Sequence, residues 1–483
     1  MRKILLYIFC ILCFSEAKTQ IYFSERFDHI DPNLEMGMGI IADSGIYYVQ
    51  YAFRETGFAT GFGFLKLDSL GNQLTDKNYR IPGYFYGSGL GGSFVKTLYG
   101  SLIAVGNIQD SSSRNTAYCI GYNKQGDTLF TRRFGDTVNN HIFYAVTSTK
   151  DSGFVCVGGL TDITTAYNLI VKYDKFGIQE WFYTYPGSSA SIKELSSGNF
   201  LVGGVRYNDC GGQQHGLIKI SSSGSFIWKK CYSASFWEGS LHVSDELSDG
   251  AIYLSGGRNH SSGIYFKAYL AKADTNGIIT WEREYGAAGS TSGFGEAFIT
   301  PDDNIIIFEQ INGYTNIYKL MPNGDSIWRR TIQYNNNYNN FSALSDIEVL
   351  NNNEIIAVGM VNPSFPDTGD QDVWVIKLDE WGCDTLGCQY TAINENNDEH
   401  GSISIYPNPS SDYACLEYDG EEGDSKLTIE LFSIEGKIVY SQSANASKKM
   451  FFIPLTDIPS GTYFVKASKN NEVLGTKKLV VVK

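Results

Sequence analysis

The sequence lacks the short motifs by which many enzymes are recognised. It contains no Gly-x-Ser-x-Gly nucleophile elbow, no His-Glu-x-x-His zinc helix and no Gly-x-x-x-x-Gly-Lys-Ser/Thr phosphate loop, and each of these carries a defined chemistry. The six histidines show no metal-ligand spacing: His29, His141, His215, His242, His260 and His400. We therefore predict no catalytic residue, no enzyme activity, no metal site and no resident cofactor.

Positive charge is also scarce. The chain has 38 lysines and arginines against 52 aspartates and glutamates, which gives a net charge of −14. Such a chain repels phosphate backbones unless a local basic patch compensates, and the sequence shows no such patch. We therefore expect no nucleic-acid partner.

A helix that spans a bilayer needs about 20 apolar residues. After the first residues, the sequence contains no apolar run of that length. The N-terminus itself has Arg2 and Lys3, an apolar run over 4–14 and then Ser15-Glu16-Ala17. This order of charged, apolar and small residues is typical of a secretory signal peptide. We predict a signal peptide over residues 1–20, cleaved near 17–20, and no transmembrane segment in the mature chain.

A turn that contains glycine recurs seven times between residues 21 and 389. In its clearest copy, Gly277 is followed four residues later by Trp281. The anchor glycines of the seven copies are Gly71, Gly126, Gly177, Gly224, Gly277, Gly324 and Gly382. A period of about 50 residues is typical of solenoids, arrays and propellers.

Each repeat has the pattern of four strands. In the third repeat, runs rich in β-forming residues cover 144–149, 154–158, 168–173 and 180–185, with turn residues between them. The strand after the anchor has aromatic residues at positions +4 and +8, which lie on one face because strands have a period of two. The +4 residues include Trp181, Trp228, Trp281 and Trp328. We expect these tryptophans to have a structural role in the repeats.

The last repeat has no aromatic strand after Gly382, but residues 21–28 repeat the aromatic pair and are similar to 279–286. An N-terminal strand that completes the last sheet would protect both terminal edges. We therefore predict an all-β fold, with a closed seven-bladed β-propeller over 21–389 rather than an open array.

A lysine stands five residues before the anchor glycine in six of the seven repeats: Lys66, Lys172, Lys219, Lys272, Lys319 and Lys377. Its neighbours are apolar. We therefore expect the lysine on the more exposed face of its strand, or with its ammonium group extended across the sheet to water. Its repetition favours a structural role over a catalytic one.

The Gly-x-x-x-Trp turn resembles the tryptophan-docking repeats of quinoprotein-like propellers, over residues 21–389. The resemblance implies that the tryptophan packs between neighbouring blades. The enzymes of that family have eight blades, a pair of adjacent cysteines and a metal beside the quinone, whereas this chain has seven repeats and no adjacent cysteines. The resemblance therefore implies the fold and not a quinone cofactor.

Seven cysteines remain once the signal peptide is removed, and an exported chain enters an oxidising compartment in which disulfides persist. Cys383 and Cys388 would close a short loop after the last repeat, and we predict that they pair. Cys210 and Cys231 could pair within the fourth repeat. The other three lie in strand-like runs and are expected to be buried small hydrophobes: Cys119, Cys156 and Cys415.

Beyond the repeats the composition changes twice. Residues 390–402 are polar and acidic, as in a linker, and residues 403–483 alternate strands with turns, as in a small β-sandwich. This last part resembles the type A C-terminal sorting domain of the Bacteroidetes type IX secretion system. The residues that carry the resemblance are Tyr406, Pro407, Asn408, Pro409, Gly436, Gly461 and Tyr463. The resemblance implies the type IX secretion machinery as a partner, and a protein that is released or attached to the outer membrane surface.

The loops between the second and third strands differ from repeat to repeat, and variable loops on a rigid scaffold commonly bind ligands. The candidate residues are Tyr207, Asn208, His215, Asn259 and His260. Alternate carboxylates over 367–372 could hold calcium, although they lack the spacing of a known calcium loop. We expect a binding or interaction module for an extracellular glycan or protein. The alternative is a hydrolase or lyase that acts on polysaccharide with acids in a central channel.

Overall fold

The structure is a computed structural model, and it describes the following residues: 22–28, 34–54, 60–89, 91–162, 165–206, 215–232, 241–259, 266–286, 293–311, 313–334, 341–362, 371–384, 402–419, 426–433, 437–445, 450–469 and 472–483. The chain divides into two compact units, Met1–Leu386 and Gly387–Lys483. Both are built of antiparallel strands, and the described residues contain no α-helix.

The larger unit has 29 strands. They are β1 (Phe23–Phe27), β2 (Leu34–Asp43), β3 (Ile46–Arg54), β4 (Thr60–Leu67), β5 (Gln73–Tyr79), β6 (Phe85–Ser88), β7 (Phe94–Lys96), β8 (Leu102–Gln109), β9 (Asn115–Tyr122), β10 (Thr128–Phe134), β11 (Asn140–Ser148), β12 (Phe154–Thr161), β13 (Ala166–Tyr173), β14 (Gln179–Pro186), β15 (Ser188–Glu194), β16 (Phe200–Arg206), β17 (Gly216–Ile220), β18 (Phe226–Cys231), β19 (His242–Val243), β20 (Ala251–Asn259), β21 (Phe266–Asp274), β22 (Ile279–Tyr285), β23 (Phe294–Ile299), β24 (Ile305–Ile311), β25 (Tyr314–Leu320), β26 (Ser326–Ile332), β27 (Phe341–Val349), β28 (Ile355–Asn362) and β29 (Asp372–Leu378).

These strands form seven sheets that follow the sequence repeats. Sheet 1 is β2–β5, sheet 2 is β6–β10, sheet 3 is β11–β14, sheet 4 is β15–β18, sheet 5 is β19–β22 and sheet 6 is β23–β26. Sheet 7 has the order β1-β29-β28-β27, so its outer strand comes from the N-terminal end of the larger unit. The four strands predicted in the third repeat are confirmed as β11–β14.

The register of β1 explains why the N-terminal strand fits sheet 7. Phe23 lies opposite Lys377, as Trp281 lies opposite Lys272 in sheet 5. β1 therefore occupies the position that the strand after the anchor turn occupies in the other sheets. The predicted completion of the last repeat by the N-terminal strand is confirmed at the level of strand pairing.

The anchor turn is shaped by its first residue and its glycine. In sheet 5 the Asp274 carboxylate accepts hydrogen bonds from the backbone N–H groups of Asn276 (2.9 Å) and Ile278 (2.8 Å). Gly277 has a φ of +73°, which side chains with a Cβ rarely adopt. The same hydrogen-bonded turn is formed by Asp174 in sheet 3. The recurring Asp-x-x-Gly pattern is thus a backbone requirement.

Seven hydrophobic clusters fill the spaces between the sheets. Six of them each join two sheets that are consecutive in the chain, namely sheets 1–2, 2–3, 3–4, 4–5, 5–6 and 6–7. The seventh joins sheet 7 to sheet 1, and it combines Phe23 and Val375 with Tyr51 and Leu65. Each sheet therefore packs against two others on its two faces.

The smaller unit is a two-sheet sandwich, which agrees with the predicted β-sandwich. Its strands are β30 (Ser402–Tyr406), β31 (Tyr413–Asp419), β32 (Lys426–Ser433), β33 (Ile438–Asn445), β34 (Met450–Pro454), β35 (Gly461–Lys469) and β36 (Glu472–Val481). Sheet 8 has the order β30-β31-β34 and sheet 9 the order β33-β32-β35-β36. Buried Leu416, Ile429, Ile453 and Val465 belong to the one core between them.

Candidate functional site

In four repeats the aromatic residue four positions after the anchor glycine packs on the anchor glycine of the next sheet: Phe130, Trp181, Trp281 and Trp328. A Cβ atom on Gly224 would lie 2.7 Å from the Trp181 ring, and one on Gly382 would lie 2.9 Å from the Trp328 ring. The same relation joins Phe23 of sheet 7 to Gly71 of sheet 1, at 2.9 Å. These positions need glycine for the close approach of the ring as well as for φ.

Hydrogen bonds hold two of these indoles in place. The Trp181 N–H donates to the carbonyl oxygen of Ser222 (3.2 Å), and the Trp328 N–H donates to that of Glu380 (3.3 Å). Each acceptor lies two residues before an anchor glycine. The tyrosine at position +8 adds a further link, since the Tyr285 hydroxyl donates to the Gly324 carbonyl (2.7 Å). Both aromatic positions thus connect neighbouring sheets.

The interface between sheets 5 and 6 departs from this pattern at Trp281. The carbonyl oxygen that would accept its N–H belongs to Pro322, and it accepts instead from the Tyr253 hydroxyl (3.2 Å). Among the described residues the Trp281 indole N–H has no hydrogen-bond partner. At the preceding interface, Trp228 lies under Lys219, with the ammonium 5.9 Å from the ring centroid.

A surface depression of about 520 Å³ opens beside Trp281. Its lining combines the indole with groups that can donate or accept hydrogen bonds: Asp249, Lys272, Thr280 and Asn323. Lys272 and Asp249 are paired at 2.8 Å, and both side chains keep contact with solvent. The Lys272 hydrogen bond holds the pKa of Asp249 below its ordinary value. The depression therefore presents an ionised carboxylate next to an aromatic surface.

A second polar cluster forms where the first strands of several sheets meet. A Cβ atom on Gly92 of sheet 2 would lie 3.5 Å from Oε2 of Glu296 in sheet 6, and one on Gly91 would lie 3.0 Å from the Ser345 carbonyl in sheet 7. Lys193 of sheet 4 forms an ion pair with Glu296 and a longer one with Asp245 (3.4 Å). We call Lys193, Asp245, Glu296 and Asp346 the central cluster.

Asp346 is the most deeply buried acid of the central cluster. Its Oδ2 atom accepts from the Ile40 N–H and its Oδ1 atom from the Ile347 N–H, both at 3.0 Å. Burial outweighs these two bonds and raises the pKa of Asp346 to about 8. Two residues further along β27, Glu348 accepts from the Ala42 N–H, and burial raises the pKa of Glu348 to about 7. Both acids thus tie sheet 7 to sheet 1.

These pKa values predict that the larger unit loses stability as the pH rises from 7 to 8. In the unfolded chain an aspartate titrates near 3.9, so the native state binds one proton more than the unfolded state until the pH passes the raised pKa of Asp346. The free energy of unfolding should then fall by about 1.4 kcal/mol per pH unit and level off above pH 8. His242, with a pKa lowered by burial to about 4, is neutral in both states here.

Urea unfolding at pH 7.0, 7.5 and 8.0 measures this slope through tryptophan fluorescence, because all seven tryptophans belong to the larger unit. Asp346→Asn should flatten most of the slope whatever it does to the overall stability, because it removes the titrating group. An equal slope in the wild type and the variant would contradict the assignment.

The structure gives a mixed result for the predicted loop residues. Tyr207, Asn208 and His260 lie outside the described residues, and Asn259 ends β20. His215 directly precedes β17 and is only 2% exposed, with its Nδ1 atom 3.4 Å from the Gly204 carbonyl. The ligand-binding role of these five residues stays a prediction.

The expectation for the repeated lysines needs correction in three of the six repeats, while Lys66, Lys219 and Lys272 are partly exposed as expected. Lys172, Lys319 and Lys377 are buried rather than placed on an exposed face. Their ammonium groups pair with carboxylates in the first hairpin turn of the same sheet, such as Asp151 (3.0 Å) and Asp302 (3.2 Å). The ion pair offsets the cost of burying the ammonium charge. The predicted structural role of these lysines is compatible with this pairing.

The cysteine predictions are confirmed in part. Cys119, Cys156 and Cys415 are free and buried. Cys383 and Cys231 are each disulfide-bonded, but their predicted partners Cys388 and Cys210 lie outside the described residues, so both pairings stay predictions.

Most of the possible calcium loop over 367–372, namely residues 367–370, also lies outside the described residues. Asp372, at its end, pairs with Arg26 (3.3 Å), so this carboxylate already has a cationic partner. Within the described ranges no group of three or more histidine, cysteine or acidic side chains could hold a metal ion.

In the smaller unit, the predicted sorting motif is bound to the last strand. The Asn408 side chain donates to the Lys478 carbonyl (2.7 Å) and accepts from the Val480 N–H (2.8 Å). Ser410 continues the contact through backbone hydrogen bonds with Val480 and Val482, both 2.9 Å. The two ends of the module, distant in sequence, therefore meet at the edge of β36.

The second motif supports the same region. Gly461 begins β35, and the buried Tyr463 donates its hydroxyl to the Pro459 carbonyl (2.9 Å). Lys483 closes the arrangement, because its backbone N–H donates to the Ser460 hydroxyl (3.0 Å). Gly436 lies outside the described residues.

Comparison with known proteins gives one family match. Residues 404–482 match the secretion system C-terminal sorting domain. No curated protein matches the chain. In the part of the chain that the structure describes, no helix has the length and apolar character needed to cross a membrane.

Solved structures give distant similarities. The chain is similar to the β-propeller domain of the trilobed protease from Pyrococcus furiosus (9% identity, 71% of this chain and 95% of that one, TM-score 0.43). It is also similar to the WD40 domain of Toxoplasma gondii coronin (10% identity, 74% and 86%, TM-score 0.44). A third similarity is to a protein of unknown function from Bacteroides caccae (13% identity, 53% and 94%, TM-score 0.32).

The match to the sorting-domain family lies in the smaller unit. The predicted module over 403–483 coincides with the matched range to within one residue at each end, and its Tyr406 and Gly461-Thr462-Tyr463 motifs both fall inside that range. The chain therefore carries a secretion system C-terminal sorting domain, as in a type IX secretion substrate, and is exported to the cell surface or beyond it.

Proposed function

We propose that the larger unit is a closed seven-bladed propeller. Three observations support the proposal: the cycle of seven clusters that joins each sheet to two others, the Phe23 ring against Gly71, and the meeting of first strands from sheets 2, 4, 6 and 7 in the central cluster. Closure would leave only short, protected strand edges.

We further propose that this propeller binds an extracellular carbohydrate in the depression beside Trp281. The observation that carries the proposal is the combination of an indole whose N–H has no partner among the described residues with the exposed Asp249–Lys272 pair. A sugar ring offers an apolar C–H face for the indole and hydroxyl groups for the charged pair. Pockets of roughly 300–1,000 Å³ with few polar groups are typical of small-ligand sites.

The central cluster supports a second candidate function, hydrolysis or cleavage of a polysaccharide. Burial keeps Asp346 protonated at neutral pH by raising its pKa to about 8, as a general acid requires. Against this role, both carboxyl oxygens of Asp346 accept backbone N–H groups, and its side chain is almost fully buried. Binding at Trp281 is the better supported function.

A glycan array with the purified protein, without its signal peptide, tests the binding function. We expect Asp249→Ala to weaken the affinity for the glycans that bind by about tenfold to a hundredfold, because hydrogen bonds to charged groups contribute about 1.5–3 kcal/mol. Trp381→Ala is the matched control, because Trp381 is an exposed tryptophan in the anchor turn of sheet 7, outside the depression. Its affinity should equal that of the wild type.

Product analysis of each bound glycan separates the two functions. Intact glycans, with affinity that depends on Asp249, support binding. Shortened products that disappear in Asp346→Asn would favour the hydrolase, and no glycan binding at all would contradict the carbohydrate proposal.

A further inference from the structure

The outer face of sheet 8 in the sorting domain exposes large apolar side chains. One face of the sheet contributes Ile403, Leu416 and Ile453 to the core. On the other face the exposed fraction is 41% for Tyr406, 52% for Tyr413, 43% for Met450 and 60% for Phe452. An antiparallel sheet with one solvated face normally places polar residues there. The exposed aromatic residues therefore call for an explanation beyond folding.

These side chains form one patch rather than scattered positions. Tyr406 and Phe452 both lie opposite Cys415, one on each neighbouring strand. The rings of Tyr413 and Phe452 have centroids 5.9 Å apart. Contiguous exposed apolar patches mark interaction sites, and aromatic residues are common among the side chains that dominate binding energy.

The sorting motif itself divides into internal and outward groups. Asn408 is engaged with β36, and Tyr463 is buried with its hydroxyl on Pro459. Tyr406, in contrast, is the motif residue whose ring lies on the exposed face of sheet 8. The motif is thus continuous with the patch through Tyr406, while its other residues hold the fold that presents it.

We propose that the outer face of sheet 8, centred on Phe452 with Tyr406, Tyr413 and Met450, is the surface that the secretion machinery binds. The role of the domain in sorting supplies the partner, because the machinery must bind this module in order to export the chain. The complementary surface on the machinery is an apolar pocket that accepts aromatic side chains, with a hydrogen-bond donor near the exposed Glu417. This inference does not depend on the function proposed for the larger unit.

Export of the full chain in its own host tests the inference. Phe452→Thr and Tyr413→Thr should each reduce the protein outside the cell at least tenfold and raise the amount retained in the periplasm. Threonine is chosen because it keeps a high strand propensity. Phe452→Tyr should be exported like the wild type, because this variant keeps an aromatic ring at the centre of the patch. The matched control is Ile438→Thr, an equally exposed apolar residue on β33 of sheet 9, which should be exported as the wild type.

Thermal unfolding of the purified variants excludes a folding defect as the cause. A loss of export with an unchanged midpoint supports the docking surface. Wild-type export of both Phe452→Thr and Tyr413→Thr would overturn it. Reduced export accompanied by a lower midpoint in both variants would also overturn it, because the patch would then serve packing within this protein.

Discussion

Phe23→Ala is expected to lower the free energy of unfolding of the larger unit by about 3–5 kcal/mol, the usual cost of removing a buried phenylalanine ring. Phe23 is 7% exposed, belongs to the cluster between sheets 7 and 1, and covers Gly71. The substitution leaves a cavity at the junction that the proposed closed ring requires. Urea unfolding followed by tryptophan fluorescence measures the loss.

The matched control is Glu25→Ala, two residues further along the same strand, with an exposed side chain. It preserves the strand pairing of β1 and should change the stability by no more than about 0.5 kcal/mol, as is usual for surface positions. If Phe23→Ala were as mild as Glu25→Ala, the contact between β1 and sheet 1 would contribute little, and the proposed closure would lose its main energetic support.

The parts of this fold that could be predicted from the sequence are those with a local or periodic signal. The anchor turn of sheet 5 combines an aspartate with a glycine of positive φ three residues later, all within one short stretch. The completion of sheet 7 could be predicted because residues 21–28 carry the same aromatic pair as 279–286. Each of these patterns is repeated, so that one copy supports the interpretation of another.

The candidate sites could not be predicted in the same way, because they join residues from different sheets. Lys193, Glu296 and Asp346 come from three repeats and meet only when the first strands converge. A partial signal exists in Asp346 and Glu348, two acids two positions apart in a largely buried strand. The depression beside Trp281 is lined by residues that are far apart in the sequence, such as Asp249, Lys272 and Asn323.

The three buried lysines, Lys172, Lys319 and Lys377, show how a correct local pattern can still give a wrong location. Their apolar neighbours suggested an ammonium group in water, and the sequence alone did not associate them with the acids of the first hairpin turn. Lys172 and Asp151 are 21 positions apart, yet Asp151 lies in the turn that leads into β12, the strand adjacent to β13 with Lys172. Pairing across adjacent strands determines which charges can be buried, and it is fixed by strand register rather than by local composition.

The pair between Lys377 and Glu354 gives the second large expected effect. The two groups are 3.0 Å apart, and their side chains are only 9% and 3% exposed. Removing one member of a buried pair leaves an uncompensated charge, which costs about 3–5 kcal/mol. We therefore expect Glu354→Gln to reduce the free energy of unfolding by that amount. The double variant Glu354→Gln/Lys377→Met should recover most of the loss, because it buries no charge.

The exposed pair of Lys77 and Asp127 is the matched control, since its side chains are 35% and 63% exposed. Solvent screens such pairs, and they contribute about 0–1 kcal/mol. Asp127→Asn should therefore reduce the stability far less than Glu354→Gln in the same urea unfolding experiment. A comparable loss in both single variants would mean that burial of the lysine does not set the strength of the pair. Failure of the double variant to recover would instead show that Glu354 stabilises sheet 7 through contacts other than Lys377.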